Sequence, residues 1–294
     1  MYINHNTMAS NVANTLTSHY GNLQTSTQRL SSGLRINSAA DDAAGLAIRE
    51  LMRTDIASLQ QGVRNANDAI SLIQTADGAL GVIDEKLIRM KELAEQAATG
   101  TYDSTQRLMI ESEYQAMASE ITRIANSTDF NGIHLLNGNL SSSVHSGTAM
   151  TSTGKMKIHF GTANDSAEDY YYIQIGTSTA SALGVGNQAD ASSKAYTVST
   201  QAAAQKALVG LTDAVVSKDK IRAHLGALQN RLENTISNLT TQAENLQAAE
   251  SRISDVDVAT EMTQFVRNQI LTQSAVAMLS QANSMPQMAM QLIG

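Results

Sequence analysis

Apolar residues near both ends of this chain recur at alternating steps of four and three, and that spacing constrains its fold more than any other feature. Near the start, Leu16, Tyr20, Leu23, Thr27, Leu30 and Leu34 form such a seam, with Asn, Ser, Thr and Gln elsewhere. After residue 201 an imperfect heptad stripe follows, carried by Leu208, Leu211, Val215, Ile221, Leu225, Leu228, Leu232, Ile236, Leu239, Leu246 and Ile253. A last segment carries Met262, Phe265, Val266, Ile270, Leu271, Met278 and Leu279. A narrow stripe on a polar rod cannot build a core of its own and buries its apolar side only against other helices.

The text between the ends extends this reading. Gly33 and Asn37 interrupt the first seam, and Ser38, Ala39, Ala40 and Asp41 have the form of a capping box that opens a fresh helix. From Ala43 to Ala98 the same period holds through Ile56, Leu59, Val63, Ala66, Ile70, Ile73, Leu80, Ile83, Leu87 and Met90. A helix of that span is about 80 Å long and needs lateral partners. Asp103 with Gln106 makes a second capping box, opening a helix that places Ile110, Tyr114, Met117, Ile121 and Ile124 on one face and folds back antiparallel. Residues 129–132 close it, and Ile133 to Leu136 read as a short strand entering a turn at Asn137 and Gly138.

Residues 139 to about 200 are rich in Ser, Thr, Gly and Asn. Within them Met156, Ile158 and Phe160 alternate with Lys155, Lys157 and His159, and Tyr171, Ile173 and Ile175 alternate with Tyr172 and Gln174, which predicts a half-buried β-hairpin. Ser254 to Asp257 again have capping-box form and open the last helix. The expected fold class is mainly α, with long antiparallel or coiled-coil helices from both chain ends and a small central β-hairpin insert. The expected segments are 1–43, 44–138, 139–202, 203–253 and 254–294.

Composition excludes several functions. The chain has no Cys, so disulfides, thiolate nucleophiles and zinc–thiolate sites are absent. Its net charge of −7 includes no Lys/Arg block able to track phosphates, which argues against a nucleic-acid partner. Nowhere do 18 apolar residues run together, so no membrane span is expected, and the first residues lack the basic and apolar regions of a cleaved signal. The six His residues are scattered, with no His-Glu-x-x-His, and no Gly-x-Ser-x-Gly elbow accompanies the many serines. No catalytic constellation, cofactor motif or metal set emerges. Asp41 and Asp42 read as helix caps rather than metal ligands. The Met-rich tail, with Met262, Met278, Met285, Met288 and Met290, reads as adaptable packing between chains. Ser141, Ser142, Ser143 and the polar stretch to Thr153 offer hydroxyls for O-linked sugar, although a polar loop is the plainer account.

Five stretches go beyond periodicity. Residues 28–48, QRLSSGLRINSAADDAAGLAI, closely resemble the N-terminal signature of bacterial flagellins. Residues 130–136, FNGIHLL, resemble the motif after that family's second helix, and residues 223–230, 251–257 and 280–287 resemble its C-terminal region. The resemblance spans about residues 1–138 and 203–294 in the family's order. It implies a filament subunit exported unfolded through the flagellar type III apparatus with a chaperone, meeting cap and junction proteins at the filament's ends. It implies further that the terminal helices pair into an inner tube, with subunit contacts at Leu16, Tyr20, Leu23, Leu30, Leu34, Met262, Phe265, Ile270, Met278 and Leu279. The stripes of residues 1–37 and 258–294 are too narrow for a private core, which predicts that these ends are disordered before assembly. By the same resemblance, residues 87–96 match the segment read by Toll-like receptor 5, with Arg89, Leu93 and Glu113 as the contact set. The alternatives are a hook–filament junction protein and a general coiled-coil scaffold.

Overall fold

The computed structural model describes residues 6–146, 154–166 and 168–293, with side chains described up to residue 288. Helix α1 is Thr7–Ser32, α2 is Ala43–Ala98 and α3 is Ser104–Ser127. The strands are β1 (Asp129–Phe130), β2 (Ile133–His134), β3 (Met156–His159) and β4 (Tyr170–Ile173). Helices α4 (Ala180–Leu183), α5 (Gln201–Ser254) and α6 (Val258–Ile293) complete the chain. It divides into two compact units, one of residues 1–56 and 244–294, the other of residues 57–243.

In the central unit the heptad positions of three helices become one core. Leu80, Ile83, Leu87 and Met90 of α2 are fully buried in one cluster with Tyr114 and Ile121 of α3 and Leu211, Leu225 and Leu232 of α5. Helix α3 returns along α2, as Arg107 Nε donating to Ala97 O (3.0 Å) and the Arg89–Glu113 pair attest. The Gln106 side chain accepts from the Asp103 N–H at 3.1 Å, so this helix starts as the capping box predicts. Polar pins fix α5 against α2: Arg222 reaches Asp77 at 2.7 Å, and the buried Lys218 ammonium reaches Asp84 at 2.7 Å. Tyr114, fully buried in this core, donates its hydroxyl to Ala195 O at 2.7 Å.

The insert folds onto this frame. Strands β3 and β4 pair antiparallel with Met156 opposite Ile173 and His159 opposite Tyr170, as the alternation predicts. Asn65 of α2 donates to His159 O at 2.8 Å, and Gly62 lets the strand end approach, since a Cβ there would lie 2.1 Å from Phe160 O.

Three local readings are corrected, and one short helix carries no signal in the sequence. Helix α2 is capped by Asp42, whose Oδ1 accepts from Gly45 N at 2.9 Å, while Asp41 turns back onto Ser38. Those Ser38 hydrogen bonds hold the Asp41 carboxyl below its ordinary pKa. At the last helix the cap is Asp257, which accepts from Ala259 N at 3.0 Å, and Ser254 instead ends α5. The tight turn lies at Asn131–Gly132, with φ of 51° and 78°, and joins β1 to β2. An Asn-Gly pair supplies two left-handed residues and is the strongest short hairpin signal, so Asp129 and Phe130 form a strand of their own paired to Ile133 and His134 rather than merely closing α3. Helix α4 lacks any apolar period of its own and is held by its Thr179 cap.

Candidate assembly surface

Helices α1 and α6 form the terminal unit and pack against one another. They run antiparallel: Asn6 Nδ2 donates to Ala282 O at 2.8 Å, while Arg29 meets Glu261 at 3.6 Å at the other end. On α1 the sheltered positions include Ala9, Val12, Leu16, His19, Leu23, Ser26 and Leu30, spaced three and four apart. On α6 they include Glu261, Phe265, Asn268, Thr272, Ala275, Leu279 and Ala282, with the same spacing.

The predicted contact residues therefore divide into two sets. Leu16, Leu23, Leu30, Phe265 and Leu279 lie on the sheltered positions within one chain. Tyr20 (52% exposed), Met262 (44%), Ile270 (57%) and Met278 (60%) stand outside it, joined by Val258 and Val266. Leu34 belongs to neither set, since it sits in an antiparallel bridge opposite Asp255. Periodicity missed this division because the apolar residues of α6 are scattered round the helix among polar ones rather than gathered on one stripe, and a heptad count cannot separate an inner from an outer set on such a helix. His19 and Ser26 were missed as sheltered positions because polar residues at a seam carry no hydropathy signal. Met290 has its side chain outside the described residues.

A helix that carries apolar side chains on more than one side can pack against more than one neighbour. Here α1 covers one side of α6 and leaves the row Val258, Met262, Val266 and Ile270, at steps of four, in solvent. About half of each of these side chains stays in water, so each forgoes about 1 kcal/mol of transfer free energy that a partner would recover.

On the central unit, Arg89 makes a forked contact to Glu113, Nε at 2.9 Å and Nη2 at 2.8 Å, and reaches Glu92 at 3.0 Å. These carboxylates, Glu113 foremost, raise the pKa of the guanidinium further. Leu93 is not on this exposed face: it is buried to 1% within the core cluster. The spacing from Arg89 to Leu93 places them on adjoining turns, but α2 is covered by two other helices, and its buried arc is wide enough to take in residue 93. Among the described residues no three of His, Asp and Glu gather as a metal would require. No helix among them is long and apolar enough to cross a membrane.

The model of the bacterial flagellin N-terminal helical region matches residues 3–141, and that of the bacterial flagellin C-terminal helical region matches residues 208–293. The chain belongs to the bacterial flagellin family. Full-length relatives agree: it is 42% identical to the flagellar filament 33 kDa core protein of Treponema phagedenis and 44% identical to the flagellin of Bacillus subtilis, each covering 100% of both chains. A putative flagellar hook-associated protein from Vibrio parahaemolyticus shares the fold at a TM-score of 0.55 and 13% identity, over 73% of this chain and all of that one. At that identity the likeness is one of fold, whereas the flagellin match extends through the sequence. The family's two helical regions map onto α1 to α3 and onto α5 with α6.

Proposed function

We infer that this flagellin is a structural subunit that polymerises into the flagellar filament outside the cell, with its terminal helices as the principal subunit contacts. The observation that carries the reading is the apolar outer side of α6, with Met262, Ile270 and Met278 exposed on a helix whose other side α1 already covers. Its occupant is the same surface on further copies of the chain. The work of the protein is mechanical: helix-to-helix contacts turn many copies into a stiff propeller, and no reaction is involved.

In this subunit residues 1–43 and 254–294 form the inner tube, residues 44–138 and 203–253 the surrounding helical layer, and residues 139–202 the exterior. The chain passes unfolded through the flagellar export apparatus with a chaperone, and cap and junction proteins close the filament's ends. Before assembly α1 and α6 are disordered, since their shared stripe offsets too little of the ordering entropy, roughly 1–2 kcal/mol per residue. Electron microscopy of concentrated protein tests the core of the reading: filaments are expected from the native chain and none from Ile270→Lys. Filaments from Ile270→Lys at the native threshold concentration would remove α6 from the contact. Hydrogen exchange tests the disorder, which strong protection of α1 and α6 in free subunits would overturn.

A second site follows from the exposed Arg89–Glu113 pair, which resembles the segment read by Toll-like receptor 5. With Leu93 buried, the proposed contact reduces to the two charged residues and their exposed neighbours. Arg89→Ala and Glu113→Ala are expected to weaken receptor signalling, and unchanged signalling from both would reject the site.

A further inference from the structure

The junction between α1 and α2 and the junction between α5 and α6 lie near opposite ends of the sequence, yet they are hydrogen-bonded to each other. Gly33 ends α1 in the left-handed conformation, φ 73°, and sends the chain out of the helix. The next residues then run antiparallel to the α5–α6 junction. Arg35 N donates to Ser254 O at 2.7 Å, Val256 N donates to Gly33 O at 3.0 Å, and Leu34 lies opposite Asp255 between these two bonds.

Two arginines complete the joint. The Arg35 guanidinium donates to Ile253 O at 2.6 Å, satisfying a carbonyl in the last turn of α5 that has no partner within its helix. From α2, Arg49, only 8% exposed, donates to Ile36 O at 2.8 Å. Ile36 itself is fully buried. Each junction thus supplies hydrogen-bond partners to the other, and opening the joint gives up bonds of both.

We propose that these junctions form a single clasp that makes α1 and α6 order and disorder as one unit rather than as two independent ends. With the clasp closed, the two helices start from adjacent points and meet at the high effective concentration of an intramolecular hairpin. With it open, neither has a neighbour. The clasp needs only one chain, so it stands or falls separately from polymerisation.

The absence of native Cys makes the test clean, because Leu34→Cys with Asp255→Cys admits only one disulfide within a chain, and oxidation of dilute monomer followed by non-reducing electrophoresis sets aside any cross-linked dimers. An antiparallel pair flanked by hydrogen bonds in this way has Cα atoms about 4.5 Å apart, within the range a disulfide spans. Hydrogen exchange is measured by mass spectrometry on the full free chain, reduced and oxidised, with peptides from the central unit as the folding control. Oxidation is expected to raise protection in α1 and α6 together, by at least tenfold and by matching factors. Arg35→Pro, which removes both the N–H donor and the guanidinium, is expected to lower whatever protection the two helices have by matching factors. A gain confined to one helix, no gain in either, or failure of the pair to oxidise while the central unit stays protected would each overturn the clasp.

Discussion

Lys218 offers the sharpest test of how the central unit is held together. Its side chain is 1% exposed, and its ammonium lies 2.7 Å from Asp84 Oδ1 and 2.8 Å from Asp219 Oδ1. The two carboxylates keep 29% and 59% of their side-chain surface in water, so the cation is the group that depends on its partners. Removing one partner from a buried pair costs about 3–5 kcal/mol, because the remaining charge stays desolvated. Since Asp219 remains beside Lys218, the expected cost of Asp84→Ala is about 2–4 kcal/mol. Lys218→Met fills the same space without a charge and leaves two carboxylates that water can reach, so its expected effect is within about 1 kcal/mol. Urea unfolding monitored by circular dichroism measures each, and a double-mutant cycle joins them. In the Lys218→Met background the cost of Asp84→Ala should nearly vanish. A thermal melt should show the single Asp84→Ala variant lower by about 2–4 °C per kcal/mol. An equal cost of Asp84→Ala in both backgrounds would refute the reasoning, since the loss would then come from helix α2 and not from the stranded cation.

Glycine replacements should split by position: Gly78→Ala, with open space around the added methyl, is expected to stabilise by about 0.5–1 kcal/mol in a denaturant titration. Gly62→Ala, whose methyl would meet Phe160 O at 2.1 Å, should instead destabilise by about 1–3 kcal/mol and displace the β3–β4 hairpin. Burial, with Glu111 adding to it, pushes the Tyr114 phenol above its ordinary pKa of 10.0, so the folded state holds that proton more tightly than the unfolded one. Stability from this group is complete below pH 10 and falls as pH rises beyond it; Tyr114→Phe should flatten that alkaline limb at a cost of about 1–2 kcal/mol near neutrality. At the acid end, hydrogen bonds from Thr260 hold the Asp257 carboxyl below its ordinary 3.8, so its contribution is present above that pH and lost as pH falls further. Asp257→Asn should remove this part of the acid dependence, read by helicity between about pH 5 and 2.

The long helices were legible because their signal is long. Ala43 to Ala98 was bounded correctly from a period sustained over many turns, and chance alternations average out over such a length. Caps were less legible: Asp41 and Asp42 both suit a helix start, and only the backbone geometry assigns one to Gly45 and the other to Ser38. Leu93 shows the same limit in the site. A helix covered on two sides buries more than its a and d positions, so spacing from Arg89 could not settle on which side of the boundary residue 93 falls. Tyr20 and Met278 were legible as apolar, but which partner each serves depends on where α1 comes to lie against α6. The clasp had no sequence signal at all, because a backbone bridge between residues so far apart leaves no trace in composition or period.

The two-sidedness of α6 has a consequence for how the chain tolerates change. A substitution at Phe265 or Leu279 is felt within its own molecule, and the rest of that fold can absorb it. One at Met262, Ile270 or Met278 is repeated in every copy of a homopolymer, at each contact that copy makes. A loss of even about 0.7 kcal/mol per contact shifts each association step about threefold, and the same shift recurs along the whole length. The outward row is therefore held to a stricter standard than the buried one, inverting the usual relation between exposure and tolerance to mutation.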